Sequence, residues 1–361
     1  MLKQYQIFFD FLRFCIGFAK EIPDSLKEAD WKELYAIAQK QCIVGVLFDG
    51  IKKLPAEHIG MKKELLFQWM AESQMLKKAN VRLNDAAIQV SEWFRKKGFR
   101  TCILKGQGKA LMYPNPYSRT PGDIDIWVEG GDKRVISFVR SISPHEKACY
   151  HHIEFPSYKG VEVEVHYRPS FLLCFWHNRK LQKYYERVKE EQFSHRVMLG
   201  EQGEVAISTV EFNLIFQLTH IYAHLMNEGI GLRQLLDYYY VLISDDFSLI
   251  RDRVQKELKE LGLWKFAGAI MYIMQEVFGM PASRLIVPPN EKYGKFVLNE
   301  VLEAGNFGKH DERNHFGRSQ LGHNLQRVYR DIRLVRYFPA EALCEPLFRI
   351  WHFFWRVKNK K

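Results

Sequence analysis

The chain has 361 residues, enough for two or three domains, and its 47% apolar and 26% charged content excludes disordered, collagen-like and low-complexity chains. The balance of 53 Lys and Arg against 42 Asp and Glu, a net +11, fits an anionic partner or a solvated basic surface. No stretch reaches the roughly 18–20 uninterrupted apolar residues of a spanning helix, and six scattered cysteines without a C-x-x-C pair indicate neither a disulfide framework nor a zinc site.

From Gln4 to about Phe94 apolar positions recur at three and four residues, as in Phe8, Phe11, Leu12, Cys15 and Phe18, so residues 1–97 read as a helical region. Asp10 and Arg13 interrupt the apolar run at residues 7–19, which argues against a signal peptide and leads to the expectation of a cytoplasmic protein without membrane contact. Residues 62–97 lack Pro and Gly and predict one long helix stopped by Gly98. Beyond Gly98 the texture changes. Strands are expected at 99–104, 124–128, 152–155 and 161–167, the last two joined by a turn over 157–160. A turn entering a short helix is expected at 106–113, a helix from Gly130-Gly131 through Ser141, and a hairpin from strands 197–199 and 205–207. Residues 98–207 are therefore an α+β core with a small mixed sheet. Residues 208–361 return to helices, opening on Ser208-Thr209-Val210-Glu211 as a capping box. Further helices are expected at 232–243, 249–261, 263–278, 292–304 and 346–357, with an exposed loop over 305–323 and a solvated basic tail over 356–361.

The chemistry concentrates in the middle third. Asp123 and Asp125 stand two apart in Gly122-Asp123-Ile124-Asp125-Ile126, so on a strand they share a face while the isoleucines enter the core. Two carboxylates side by side repel unless a cation sits between them, and hard oxygen ligands suit Mg²⁺. In Val161-Glu162-Val163-Glu164-Val165-His166 the valines alternate with Glu162, Glu164 and His166. If this strand lies beside 124–128, one of its glutamates completes a three-carboxylate site able to hold two divalent ions.

The order of strand, glycine turn and helix, D-x-D strand and second acidic strand resembles the nucleotidyltransferases of the DNA polymerase β-like superfamily. Leu104-Lys105-Gly106, Arg119-Thr-Pro-Gly-Asp-Ile-Asp-Ile126, Glu164-Val-His-Tyr-Arg168, His220 with His224, and Leu232-Arg-Gln-Leu-Leu-Asp237 are similar to a bacterial family of largely uncharacterised nucleotidyltransferases with helical flanks, over roughly residues 30–246. The resemblance implies that Asp123, Asp125 and Glu164 are the catalytic metal ligands, with Glu162 a rival to Glu164. It also implies Mg²⁺ or Mn²⁺ as the metal, an NTP as co-substrate, and transfer of a nucleoside monophosphate to a hydroxyl on a small molecule, protein or RNA. A fold of this kind that has lost its chemistry and acts as a binding protein is the alternative. The nucleotide contacts implied are Lys105, Gly106, Gln107, Arg119 and Gly122. Lys105 has a structural ion pair as its other reading, and Arg119 a pair with Asp123. The turn departs from the Gly-Gly or Gly-Ser usual in the superfamily, because Gln107 follows Gly106.

Elsewhere, Asn213, Gln217, His220 and His224 form an uncharged polar stripe on a helix expected to pack under the site. The pair His220 and His224 lacks the Glu of a zinc-protease helix, since Ile221 stands there. Arg233 and Asp237, four apart, are expected to pair with each other, and His151-His152 and the histidines of 310–323 to lie on the surface.

Overall fold

A computed structural model describes residues 2–201, 203–244, 247–311, 313 and 320–359. The N-terminal helices are α1 (Leu2–Cys15), α2 (Trp31–Lys40), α3 (Val44–Ile51) and α4 (Lys63–Lys96). The core follows with β1 (Thr101–Ile103), α5 (Gln107–Ala110), β2 (Ile124–Val128), α6 (Gly131–Ile142), β3 (His152–Tyr158), β4 (Val161–His166), α7 (Phe175–Ser194), β5 (Arg196–Leu199) and β6 (Gly203–Ala206). The remaining helices are α8 (Val210–Asn227), α9 (Leu232–Ser244), α10 (Arg251–Glu260), α11 (Trp264–Phe278), α12 (Glu291–Ala304), α13 (Gln320–Val335) and α14 (Pro339–Lys358). The architecture is α+β: one mixed four-stranded sheet and one two-stranded hairpin, with helices on both flanks. Among the described residues no helix is long and apolar enough to cross a membrane.

The main sheet runs β1-β2-β4-β3, with β2 antiparallel to β1 and parallel to β4. Every residue of β2 is buried, as befits a central strand covered on both faces. Ile124, Ile126 and Val128 face one way, joining Val163 and Val165 of β4 and Ala87, Val90 and Phe94 of α4 in one apolar cluster. The other face carries Asp125 and Trp127; Trp127 packs on Phe193 at 4.7 Å between ring centres and joins the larger cluster of the helical flanks. The alternation along β2 thus directs its apolar residues into both cores and leaves Asp125 at the junction between them. Helix α4, about 50 Å long at 1.5 Å per residue, backs the sheet.

Several local expectations need correction. No element is expected over residues 168–196, yet α7 fills most of them, with Leu181, Tyr184 and Tyr185 buried. The cap of α8 is Thr209, whose hydroxyl accepts from the Phe212 N–H, while Ser208 is drawn away to Leu104 and Asn213 and Glu211 pairs with Arg253. The capping box is therefore replaced by a single-residue cap. Strand β3 runs on to Tyr158, so its turn is shorter than expected. Within the expected loop 305–323, Asn306, Gly308 and Asp311 are buried and α13 begins at Gln320; Glu312 and residues 314–319 lie outside the described residues, as do Gln202 and residues 360–361.

Candidate functional site

The parallel register of β2 and β4 sets Asp125 opposite Glu164, and the turn into β2 delivers Asp123 next to them. One oxygen from each of the three carboxylates lies within 4.8 Å of the other two. Glu162, one pleat before Glu164, is exposed and outside this group. Asp125 is 2% exposed, and its Oδ1 accepts from Lys105 Nζ at 2.7 Å and from His166 Nε2 at 2.9 Å. His166 Nε2 also lies 3.3 Å from Glu164 Oε2, and His152 Nδ1 lies 3.2 Å from the same oxygen.

The electrostatics follow from this crowding. Burial works to raise the Asp125 pKa, but Lys105 and His166 outweigh it and hold the carboxyl below its ordinary range. Burial likewise opposes the charged form of His166, yet its bonds to Asp125 and Glu164 bring the imidazole up to about 9. His166 is thus an imidazolium near neutral pH, donating from Nε2 to the carboxylates and from Nδ1 to the Arg168 carbonyl at 3.3 Å. Asp123 is pushed up by the neighbouring Asp125 first and by burial second. Three carboxylates face two cations, Lys105 and His166, and among the described residues no ion pair forms with Asp123. This oxygen donor set and its unrelieved repulsion fit a hard divalent cation.

The turn before α5 packs directly on this group. Gly106 has φ +58°, a conformation that selects glycine, and a Cβ there would lie 3.4 Å from the Asp123 carbonyl, in ordinary contact. Gln107 points away from the site, donating to the Asn80 carbonyl at 3.3 Å and to Asn84 on α4. Lys109 is 1% exposed, its Nζ has no hydrogen-bond partner among the described residues, and it sits 6.0 Å from the centre of the Phe216 ring.

Opposite the sheet, the helical wall is organised around Asp237. Arg119 grips it with a two-pronged contact, Nε to Oδ1 and Nη2 to Oδ2, both 2.8 Å, and Tyr113 donates to Oδ1 at 2.7 Å. Burial would raise the Asp237 pKa, and Arg119 overcomes it. Neither expected arrangement holds here: Arg119 pairs with Asp237 rather than Asp123, and Arg233 is left out of the pair. A fork that reaches both oxygens satisfies a buried carboxylate better than a neighbour one helical turn away. Arg233, 8% exposed, donates from Nη1 to the Thr120 carbonyl at 3.2 Å and lies 5.5 Å from the Phe307 ring centre. Its Nε has no hydrogen-bond partner among the described residues. Burial, followed by the nearby Arg119, holds its pKa below the ordinary value.

Between the two walls opens a cleft of about 460 Å³. The three carboxylates, Lys105, Gly106, Gly122, Arg119 and Arg233 all border it, whereas Gln107 does not. Helix α8 contributes Gln217, His220 and His224 as expected for its polar stripe; the two imidazoles contact each other at 4.3 Å between ring centres. Asn213 is instead tied to Ser208. His151 and His152 are half-buried in the cleft, not on the surface, because β3 pairs His152 with His166. A simple count back from the β3–β4 turn, starting at Tyr158 opposite Val161, would set Ile153 opposite His166. The irregularity between Phe155 and Tyr158 shifts the register by one residue. Pro156, which interrupts the strand there, was the available signal. The outer wall comes from α14 through Glu345, Phe348, Arg349 and His352, for which the sequence carried no functional mark.

The family described as uncharacterised nucleotidyltransferase matches residues 27–279, a segment that carries both walls of the cleft but not α13 or α14. No curated protein and no solved structure matches the chain. The match covers more than half of the sequence and includes the D-x-D strand, the acidic strand and the α8–α9 wall, and on that ground the chain belongs to the uncharacterised nucleotidyltransferase family.

Proposed function

We propose that the protein transfers a nucleoside monophosphate from an NTP to a hydroxyl acceptor, in a reaction that requires Mg²⁺ or Mn²⁺. The observation that carries this reading is the convergence of Asp123, Asp125 and Glu164 from two parallel strands at the edge of a cleft. Bound divalent ions would neutralise charge on the phosphates and lower the pKa of the acceptor hydroxyl. Asp123, Asp125 and Glu164 would hold them. The acceptor oxygen bonds to the α-phosphorus, the bond from the α-phosphorus to the bridging oxygen breaks, and pyrophosphate leaves. Glu164 takes the hydroxyl proton, and His166 keeps Asp125 and Glu164 aimed by bonding both. Lys105 and Gly106 border the path of the phosphates, and the helical flanks supply the acceptor side. Gln107 and Arg119 act differently from the resemblance: the first anchors the turn to α4 and the second builds the wall. The order of elements around the D-x-D strand supports placing the chain in the DNA polymerase β-like superfamily.

Calorimetric titration with each of the four NTPs, with and without Mg²⁺ or Mn²⁺, tests the reading. Metal-dependent binding is expected in the wild type and lost in Asp123→Asn, whose folding is kept because the change relieves repulsion from Asp125. With an acceptor in hand, Glu164→Gln should lower pyrophosphate release by about a hundredfold or more, while Glu162→Gln, an exposed change, leaves it as it was. A folded wild type that binds none of the four NTPs in the presence of metal would instead indicate a binding protein of this fold without chemistry.

A further inference from the structure

The cleft is electrostatically divided. On the sheet side three carboxylates outnumber Lys105 and His166, and on the helical side Arg119, Arg233 and Arg327 outnumber Asp237 and Glu228. Asp237 has both oxygens committed to Arg119 and a further bond from Tyr113, so it has little left for Arg233. Arg233 is therefore a buried guanidinium without an ion pair among the described residues, held by a single carbonyl, with its Nε unsatisfied. A buried cation is retained in this condition when an anion completes it. Its position indicates which anion. Arg233 borders the same cleft as the carboxylates, and Nη1 lies 3.6 Å from where a Cβ on Gly122 would be. Gly122 directly precedes Asp123, so only one side-chain-free residue separates the guanidinium from the acidic group.

We infer that Arg233 is a phosphate-binding residue and seats the β- and γ-phosphates of the nucleotide, the part released as pyrophosphate, with Gly122 leaving the room for them. The identity of the anion as a polyphosphate rests on the nucleotidyl-transfer reading. A planar fork suits this ligand, since it presents paired donors to phosphate oxygens. Arg119, the residue of the same type nearer in sequence to the D-x-D strand, is excluded from that role by its grip on Asp237. Phe307, stacked near the guanidinium, limits where it can move.

The test is calorimetry on the full chain with sodium pyrophosphate as the probe, with and without Mg²⁺, and in parallel with Mg²⁺ and ATP, GTP, CTP and UTP. The wild type should bind pyrophosphate. Arg233→Gln should weaken that binding tenfold or more, Arg233→Lys should weaken it less, and the exposed Glu162→Gln should leave it unchanged. Circular dichroism checks the fold of each variant. If Arg233→Gln does not fold, Gly122→Ala replaces it, because a methyl in contact with the guanidinium narrows the phosphate path and should also weaken binding. A wild type that does not bind pyrophosphate, or folded variants that bind it as the wild type does, overturns the inference. The two readings fail separately. Pyrophosphate binding that depends on Arg233, in a protein that binds no NTP with metal, sustains the anion site and removes nucleotidyl transfer. Metal-dependent NTP binding that Arg233→Gln leaves untouched sustains transfer and removes the anion site.

Discussion

Asp125 on the sheet wall and Asp237 on the helical wall are both buried carboxylates with cationic partners, and they are neutralised in opposite ways. Asp125 receives an amine and an imidazole on one oxygen and has two further carboxylates within 4.8 Å. Asp237 has both oxygens filled by one guanidinium that stays charged at any relevant pH, with a phenol added. The first arrangement can exchange partners when a stronger cation arrives. The second is closed: it ties Arg119 and Tyr113 together and leaves Arg233 outside the pair. Burial and ion pairing alone therefore do not distinguish the two carboxylates; the geometry of the partner does.

The contrast can be broken most forcefully at Asp237. Asp237→Asn would leave Arg119 buried without its counter-charge, at a cost of about 3–5 kcal/mol, read as a fall in the urea midpoint with unchanged slope; a loss below about 1 kcal/mol would mean that the wall is not closed in the way described. Lys109 tests the surplus of positive charge on the same side. Burial is the main cause that brings its amine down from 10.5 to about 7, with Asp237 opposing and Arg119 assisting. Below pH 7 the ammonium is kept in both the folded and the unfolded chain, so the penalty of burying it is felt in full. Between pH 7 and 10.5 the unfolded chain holds a proton that the folded protein has released, so stability rises with pH. Lys109→Met should then stabilise the protein by about 1–4 kcal/mol at pH 6, with the gain shrinking towards pH 10 in urea titrations of the two proteins side by side. The smallest effect is at the start of α8, which carries Gln217, His220 and His224 into the cleft. Thr209→Ala should remove about 1 kcal/mol by loss of the cap, seen as a lower thermal midpoint, and Glu211→Ala should do less because it only breaks an exposed pair with Arg253.

Much of the sheet was legible because period-two patterns are local. Strand β2 falls where the alternation around Asp123 and Asp125 put it, and the acidic strand lies beside it as the three-carboxylate hypothesis required. The choice between Glu162 and Glu164 was not legible, since both point to one face and only the register against β2 separates them. His152 was hidden by a one-residue irregularity, which moves every side chain before it to the other face. The spacing of Arg233 and Asp237 was a fair local cue, overridden by Arg119 from a distant part of the chain. Helix α7 had readable periodicity in Leu181, Tyr184, Tyr185 and Val188, whereas the contribution of α14 to the cleft depends on tertiary packing that no local pattern records.

The α14 wall also bears on biosynthesis. Glu345, Phe348, Arg349 and His352 are translated long after Glu164, so at about 5–20 residues per second the residues of the carboxylate group are made on the order of ten seconds before those of its outer wall. A sheet that folded as it was made would present an acidic, unroofed notch during that interval. A cation captured there would reach its seat before the outer wall is laid over it, and loading would be part of assembly.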